Sequence, residues 1–84
     1  MSKKEKLIAR LLSKPKDFTF EELIALLGYF GYHQDNPGKT SGSRVAFTND
    51  EGDYIRLHKP HPKNILKEYQ VKDIIDGLQE RRLL

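Results

Sequence analysis

Two histidines, His58 and His61, stand three residues apart beside Arg56 and Lys59 in the segment Tyr54–Pro62, YIRLHKPHP. Imidazole has an unperturbed pKa near neutrality, so it can take up or release a proton under ordinary conditions. Arginine offers a planar set of donors that matches phosphate oxygens. These residue types suit RNA chemistry, in which the ribose 2′-hydroxyl attacks the neighbouring phosphate. That reaction needs a base, an acid for the leaving oxygen, and positive charge for the crowded phosphate. Tyr54 adds a ring on which a base can stack. The candidate proton-transfer residues are therefore His58 and His61. The candidate RNA-binding residues are Ser43, Arg44, Tyr54, Arg56 and Lys59.

Other chemistries fit less well. H-x-x-H is a metal-ligand spacing, but Pro60 and Pro62 exclude the helix that would align the two rings. The chain has no cysteine, and a third ligand would have to come from His33 or a distant carboxylate. No metal and no cofactor are expected. Asp50, Glu51 and Asp53 are too few for a calcium loop and read as turn-forming, solubilising acids. The cluster Gly38–Ser43 lacks the spacing of a P-loop or a dinucleotide fingerprint. Its backbone N–H groups and hydroxyls can hold one phosphate, or simply form a turn.

A hairpin must position these residues. Val45 and Phe47 alternate with Arg44, Ala46 and Thr48, while Ile55 and Leu57 alternate with Tyr54, Arg56 and His58. Asp50-Glu51-Gly52 is a three-residue loop with glycine where a left-handed residue closes the turn. Pairing Asn49 with Asp53 sets Phe47 against Ile55 and Val45 against Leu57. It also sets Thr48 against Tyr54, Ala46 against Arg56 and Arg44 against His58. A slip of one residue would send the apolar set to the wrong side. Two arginines, a tyrosine and a histidine then share an open sheet face.

The remaining elements supply the core. Leu7, Ile8, Leu11 and Leu12 form a helical stripe that should end near Lys14, ahead of Pro15. Thr19 and Glu22 make a capping box for a second helix, with Phe18 and Leu23 as its hydrophobic staple. Phe20, Leu23, Ile24 and Leu27 are its expected buried stripe, Gly31 its terminator, and Gly28 a place for close packing. Tyr32–Asn36 reads as a short strand, and Glu68–Arg82 as a final helix burying Val71, Ile74, Ile75 and Leu78. The order of elements predicts an α+β fold with a three-stranded antiparallel sheet and helices packed on one face.

Composition bounds this reading. Eighty-four residues, 37% of them hydrophobic, suffice for one small domain over residues 1–84, without a deep enclosed pocket. No apolar run approaches the roughly 20 residues of a membrane helix. The lack of cysteine suits a reducing cytoplasm. Net charge is +3 but uneven: Met1–Lys16 carries six basic residues and one acid, and Asp17–Phe30 three acids and no base. The basic end suits a polyanion, or forms a solvated helix face.

From Phe18 to the C-terminus the chain resembles the HicA toxin family. The resemblance rests on FEELIALLGYFGY, the GSRVAF strand, the hairpin, the PHP turn and VKDIIDGLQE. It implies a double-stranded RNA-binding-domain-like fold over residues 17–84, with residues 1–16 an additional N-terminal helix. It also implies an mRNA interferase, an endoribonuclease, with mRNA and a HicB-like antitoxin as partners and a cytoplasmic location. The family's catalytic histidine follows Gly-Ser, where this chain reads Gly42-Ser43-Arg44. Arginine stays charged at every physiological pH and is a poor base. The family's PHP histidine matches His61. Either His58 takes over proton transfer from across the hairpin, or the chain is a non-catalytic RNA-binding or protein-interaction module of the same fold.

Overall fold

Thr19 starts the helix against which much of the core is laid. Its hydroxyl accepts the Glu22 N–H at 3.1 Å, and the Glu22 carboxylate accepts the Thr19 N–H at 3.0 Å, which closes the expected capping box. The computed structural model describes residues 2–35 and 44–84. In chain order these form α1 (Lys3–Leu12), α2 (Phe20–Tyr29), β1 (His33–Gln34), β2 (Arg44–Thr48), β3 (Tyr54–His58) and α3 (Glu68–Glu80). The strands make one antiparallel sheet in the order β1-β2-β3, so β2 is central.

The hairpin has the register expected from its alternation, from Arg44 opposite His58 to Thr48 opposite Tyr54. Its loop is closed by Gly52 at φ 82°, a left-handed conformation that glycine adopts freely. The Asn49 side chain accepts the N–H groups of Glu51 and Asp53 at 3.1 and 2.9 Å, fixing the turn from within. Val45, Phe47 and Ile55 are buried, whereas Arg44, Tyr54, Arg56 and His58 are exposed. One face of the sheet is therefore covered and the other open.

The covered face meets all three helices in a single cluster with Phe18, Phe47, Leu11, Leu23, Leu26, Leu27, Val71 and Leu78 at its centre. Helix α1 joins it through Leu11, with Leu7 and Ile8 partly buried. Leu12, expected in that stripe, is 45% exposed, because the helix ends there and Ser13 caps it. On α2, Ile24 is 38% exposed and Leu26 takes its place in the core. The helix lies between α1 and the sheet, so its buried arc is turned away from Ile24 and includes Phe20, Leu23, Leu26 and Leu27. Gly31 terminates α2 at φ 88° as expected. Gly28 does not serve close packing, since a side chain built there would meet open space.

Two further departures concern element ends. Strand β1 is shorter than expected and excludes Tyr32; Asn36 lies outside the described residues. Helix α3 buries the four predicted residues but stops at Glu80, with Arg81 as its cap and Arg82 at φ 59°. The segment after the PHP turn docks on the entry to α2: Thr19 bridges Ile65, Phe20 N–H donates to Asn64 and Leu66 N–H to Phe18.

Two ionic clasps fix the helices to their surroundings. Arg10 of α1 donates to Glu22 at 2.6 Å and to Asp17 at 3.0 Å, and its hydrogen bond holds the Glu22 carboxyl below the usual range. Arg81 donates to Asp53 at 2.6 Å and to the Tyr54 carbonyl at 3.0 Å, while Tyr32 Oη donates to Asp53 at 2.5 Å. The Arg81 and Tyr32 hydrogen bonds together bring the Asp53 carboxyl down to about 2. Asp53 thus anchors the hairpin tip to the end of α3, beyond the turn-forming role expected of it.

Candidate nucleic-acid interface

The open face is built by alternation and can be laid out row by row. Asn49 N–H donates to the Asp53 carbonyl at 3.3 Å. Hydrogen-bonded and non-bonded pairs alternate along an antiparallel ladder, so 48/54, 46/56 and 44/58 are the closer, non-bonded pairs with Cα atoms about 4.5 Å apart. Their side chains stand side by side on the open face. Arg44 and His58 form one end row, Ala46 and Arg56 the next, Thr48 and Tyr54 the third. A shallow hollow of about 430 Å³ lies among Arg44, Ala46, Arg56 and His58, with Val45 and Leu57 between them.

Strand β1 extends these rows. His33 pairs with Thr48, which places it in line with Tyr54 on the open face, and Asp35 N–H donates to the Ala46 carbonyl at 2.8 Å. By sequence alone, His33 is only a remote candidate metal ligand. Its place depends on the β1–β2 register, and the long connection between those strands hides that register. Four residues of strand separate the His33 row from the Arg44–His58 row, about 13 Å at the usual rise per residue. That span is too long for both imidazoles to serve one phosphate.

The individual candidates fall out as follows. Arg44, Arg56 and His58 are brought together around the hollow. Tyr54 is 38% exposed, and the Arg56 guanidinium lies 4.7 Å from its ring centroid, so one ring face is already covered by a cation. Lys59 is not on this face: its ammonium lies 5.8 Å over the Phe20 ring, toward α2. His61 is exposed between buried Pro60 and exposed Pro62 and does not line the hollow. Ser43 and the rest of the Gly38–Ser43 cluster lie outside the described residues. In the basic N-terminal segment, Arg10 is taken by Glu22 and Asp17, and Lys4 sits 5.0 Å over the Phe30 ring.

Gln70 is a positioning residue that sequence reasoning missed. It is buried, its Oε1 accepts the Lys67 N–H at 3.0 Å, and its Nε2 donates to the His58 carbonyl at 2.7 Å. A buried amide with both ends satisfied fixes the backbone that carries His58. Its only signal in the sequence is a polar residue beside Val71 on the apolar side of a helix.

Chemically, the row Arg44–His58 sets an imidazole beside a guanidinium that cannot lose its proton. Arg56 stands one row away on the same strand as His58. Two cations can hold a phosphodiester while the imidazole acts on a hydroxyl proton. Among the described residues, no group of three or more His, Asp or Glu side chains is close enough to hold a metal ion. No helix among them is long and apolar enough to cross a membrane.

A family model described as HicA toxin of bacterial toxin-antitoxin matches residues 20–79. The match takes in the whole hairpin and nearly all of α3, and it begins after α1. No curated protein and no solved structure matches the chain.

Proposed function

The chain belongs to the HicA toxin family, and from that premise we propose that it is a toxin that binds mRNA on its open sheet face. The observation that carries this reading is the row Arg44–His58 with Arg56 beside it, exposed on a face that no helix among the described residues covers. Phosphate binding there falls to the two arginines. In this reading the ribose 2′-hydroxyl attacks the neighbouring phosphorus as His58 takes its proton; the P–O5′ bond breaks, and the 5′-oxygen leaves with a proton from the imidazolium or from water, leaving a 2′,3′-cyclic phosphate. The reaction is then a metal-independent endonucleolytic cleavage. An mRNA target puts the protein in the cytoplasm. We take residues 1–84 as one unit, α1 included, because Leu11 shares the core with the sheet.

A second reading has one observation in its favour. Arg44 stands where the family's usual catalytic histidine would be, and an arginine there strengthens binding without supplying a base. A non-catalytic RNA-binding module would follow. Incubating the purified chain with mRNA in the presence of a chelator separates the two: cleavage supports the first, binding without cleavage the second.

The partner expected of a toxin is a HicB-like antitoxin that lies across the same face with an acidic or apolar surface. RNA and antitoxin should then compete, with added antitoxin releasing labelled RNA at one equivalent per site. A ternary complex with both sites filled would place inhibition elsewhere on the molecule.

A further inference from the structure

The free edge of β3 faces α3 across a groove of about 320 Å³, separate from the hollow on the open face. This volume lies at the low end of small-ligand pockets, about 300–1,000 Å³. The outward backbone groups of β3 belong to Tyr54, Arg56 and His58, the residues of its non-bonded pairs. Two of these carbonyls are already taken: Arg81 donates to Tyr54 at 3.0 Å and Gln70 to His58 at 2.7 Å. The Tyr54 N–H is also engaged, by the Asp53 carboxylate at 3.0 Å. Arg56 lies between them, and its N–H and C=O make no hydrogen bond among the described residues. The His58 N–H makes none either, so the Arg56 N–H, the Arg56 C=O and the His58 N–H point out of the same edge in turn, one acceptor between two donors.

An edge blocked at both ends does not admit a full added strand. Within this set, one donor beside one acceptor matches the hydrogen-bonding edge of a single planar heterocycle. The groove walls carry the complementary features. Tyr69, on the α3 side, is 56% exposed and offers an open ring. On the strand side stands Tyr54 with the Arg56 guanidinium against it. Asp73 also lines the groove; its carboxylate accepts from ring or exocyclic N–H groups and repels phosphate. Arg81, also on the lining, is taken by Asp53, and the Arg56 guanidinium can hold the phosphate next to the base. A stacking wall, a donor–acceptor pair and an acid fit the base itself.

We propose that this groove is a nucleobase subsite that takes one unpaired base of a single-stranded RNA whose backbone lies on the open face. The inference rests on the RNA reading above and adds a strandedness and a contact to it. A paired base presents no free ring face, so duplex RNA gains nothing from the groove.

The test uses a short, unstructured 2′-O-methyl oligoribonucleotide, which cannot undergo 2′-hydroxyl attack, and a 2′-O-methyl hairpin duplex, each followed by fluorescence anisotropy. Tyr69→Ala should weaken single-strand binding by roughly 5- to 100-fold, the scale of one lost stacked base. Duplex affinity and the salt slope should stay unchanged, and Tyr69→Phe should bind as the parent does. Scanning one abasic nucleotide along the oligomer should find a position where affinity falls in the parent but not in Tyr69→Ala. Equal affinities for the parent and Tyr69→Ala, or no such position, would overturn the subsite. So would a Tyr69→Ala protein that loses a protein partner while binding single strands normally. If Arg44→Ala/Arg56→Ala weakens binding while Tyr69→Ala does not, only the groove is wrong. A parent chain that binds neither probe overturns the groove and the RNA reading together.

Discussion

Replacing His58 by alanine is expected to lower metal-free RNA cleavage by roughly 100-fold or more, the usual contribution of a positioned acid–base group. His58 is exposed at the end of β3, and its backbone is held by Gln70 rather than by its own ring. Truncating the ring therefore leaves the clasp between β3 and α3 in place. Circular dichroism and thermal stability should stay close to the parent's, and RNA affinity should change little, because Arg44 and Arg56 supply the phosphate contacts. Cleavage at the parental rate in His58→Ala would remove His58 from the mechanism. Loss confined to His61→Ala would pass the role to the histidine between the two prolines. A parent chain that binds RNA but never cuts it would establish the non-catalytic reading, with Arg44 as its reason.

Phe47→Ala should act in the opposite manner, through stability alone. Phe47 is fully buried in the central strand, and its ring centroid lies 6.2 Å from that of Phe20 across the sheet–helix interface. Cutting such a ring to a methyl group costs about 3–5 kcal/mol. A domain this small has a total stability toward the lower end of about 5–15 kcal/mol. At about 4–8 °C per kcal/mol, the melting temperature should fall by more than about 12 °C. Activity should be lost in proportion to the unfolded fraction and regained when the protein is cooled. An unchanged melting temperature would mean that Phe47 is not the packing centre of the sheet.

The contrast between these two residues explains what the sequence made legible. The strands of the hairpin have strict apolar–polar alternation, and Gly52 marks the left-handed position. Register and face assignment were therefore readable residue by residue. The capping box at Thr19 and Glu22 was equally local. Ile24 and Leu12 were misplaced because a helical stripe gives an arc, while the neighbours that cover it decide which flank is buried. Arg81–Asp53 and Gln70–His58 join residues 28 and 12 positions apart through side chains, and nothing local announces them. Lys59 is a candidate RNA-binding residue by type and by its place next to His58. Its odd position in the alternation sends it to the helix side, over Phe20.

The open sheet face is the proposed RNA surface, and the salt dependence of binding tests that most directly. Labelled single-stranded RNA would be titrated with the parent chain and with Arg44→Ala/Arg56→Ala over a series of salt concentrations. Each lost phosphate contact to a single strand should reduce the slope of log K against log salt by about 0.7, so the double variant should be flatter by about 1.4. It should also bind more weakly at low salt while keeping the parental fold. A double variant with the parental affinity and the parental slope would show that RNA does not bind this face.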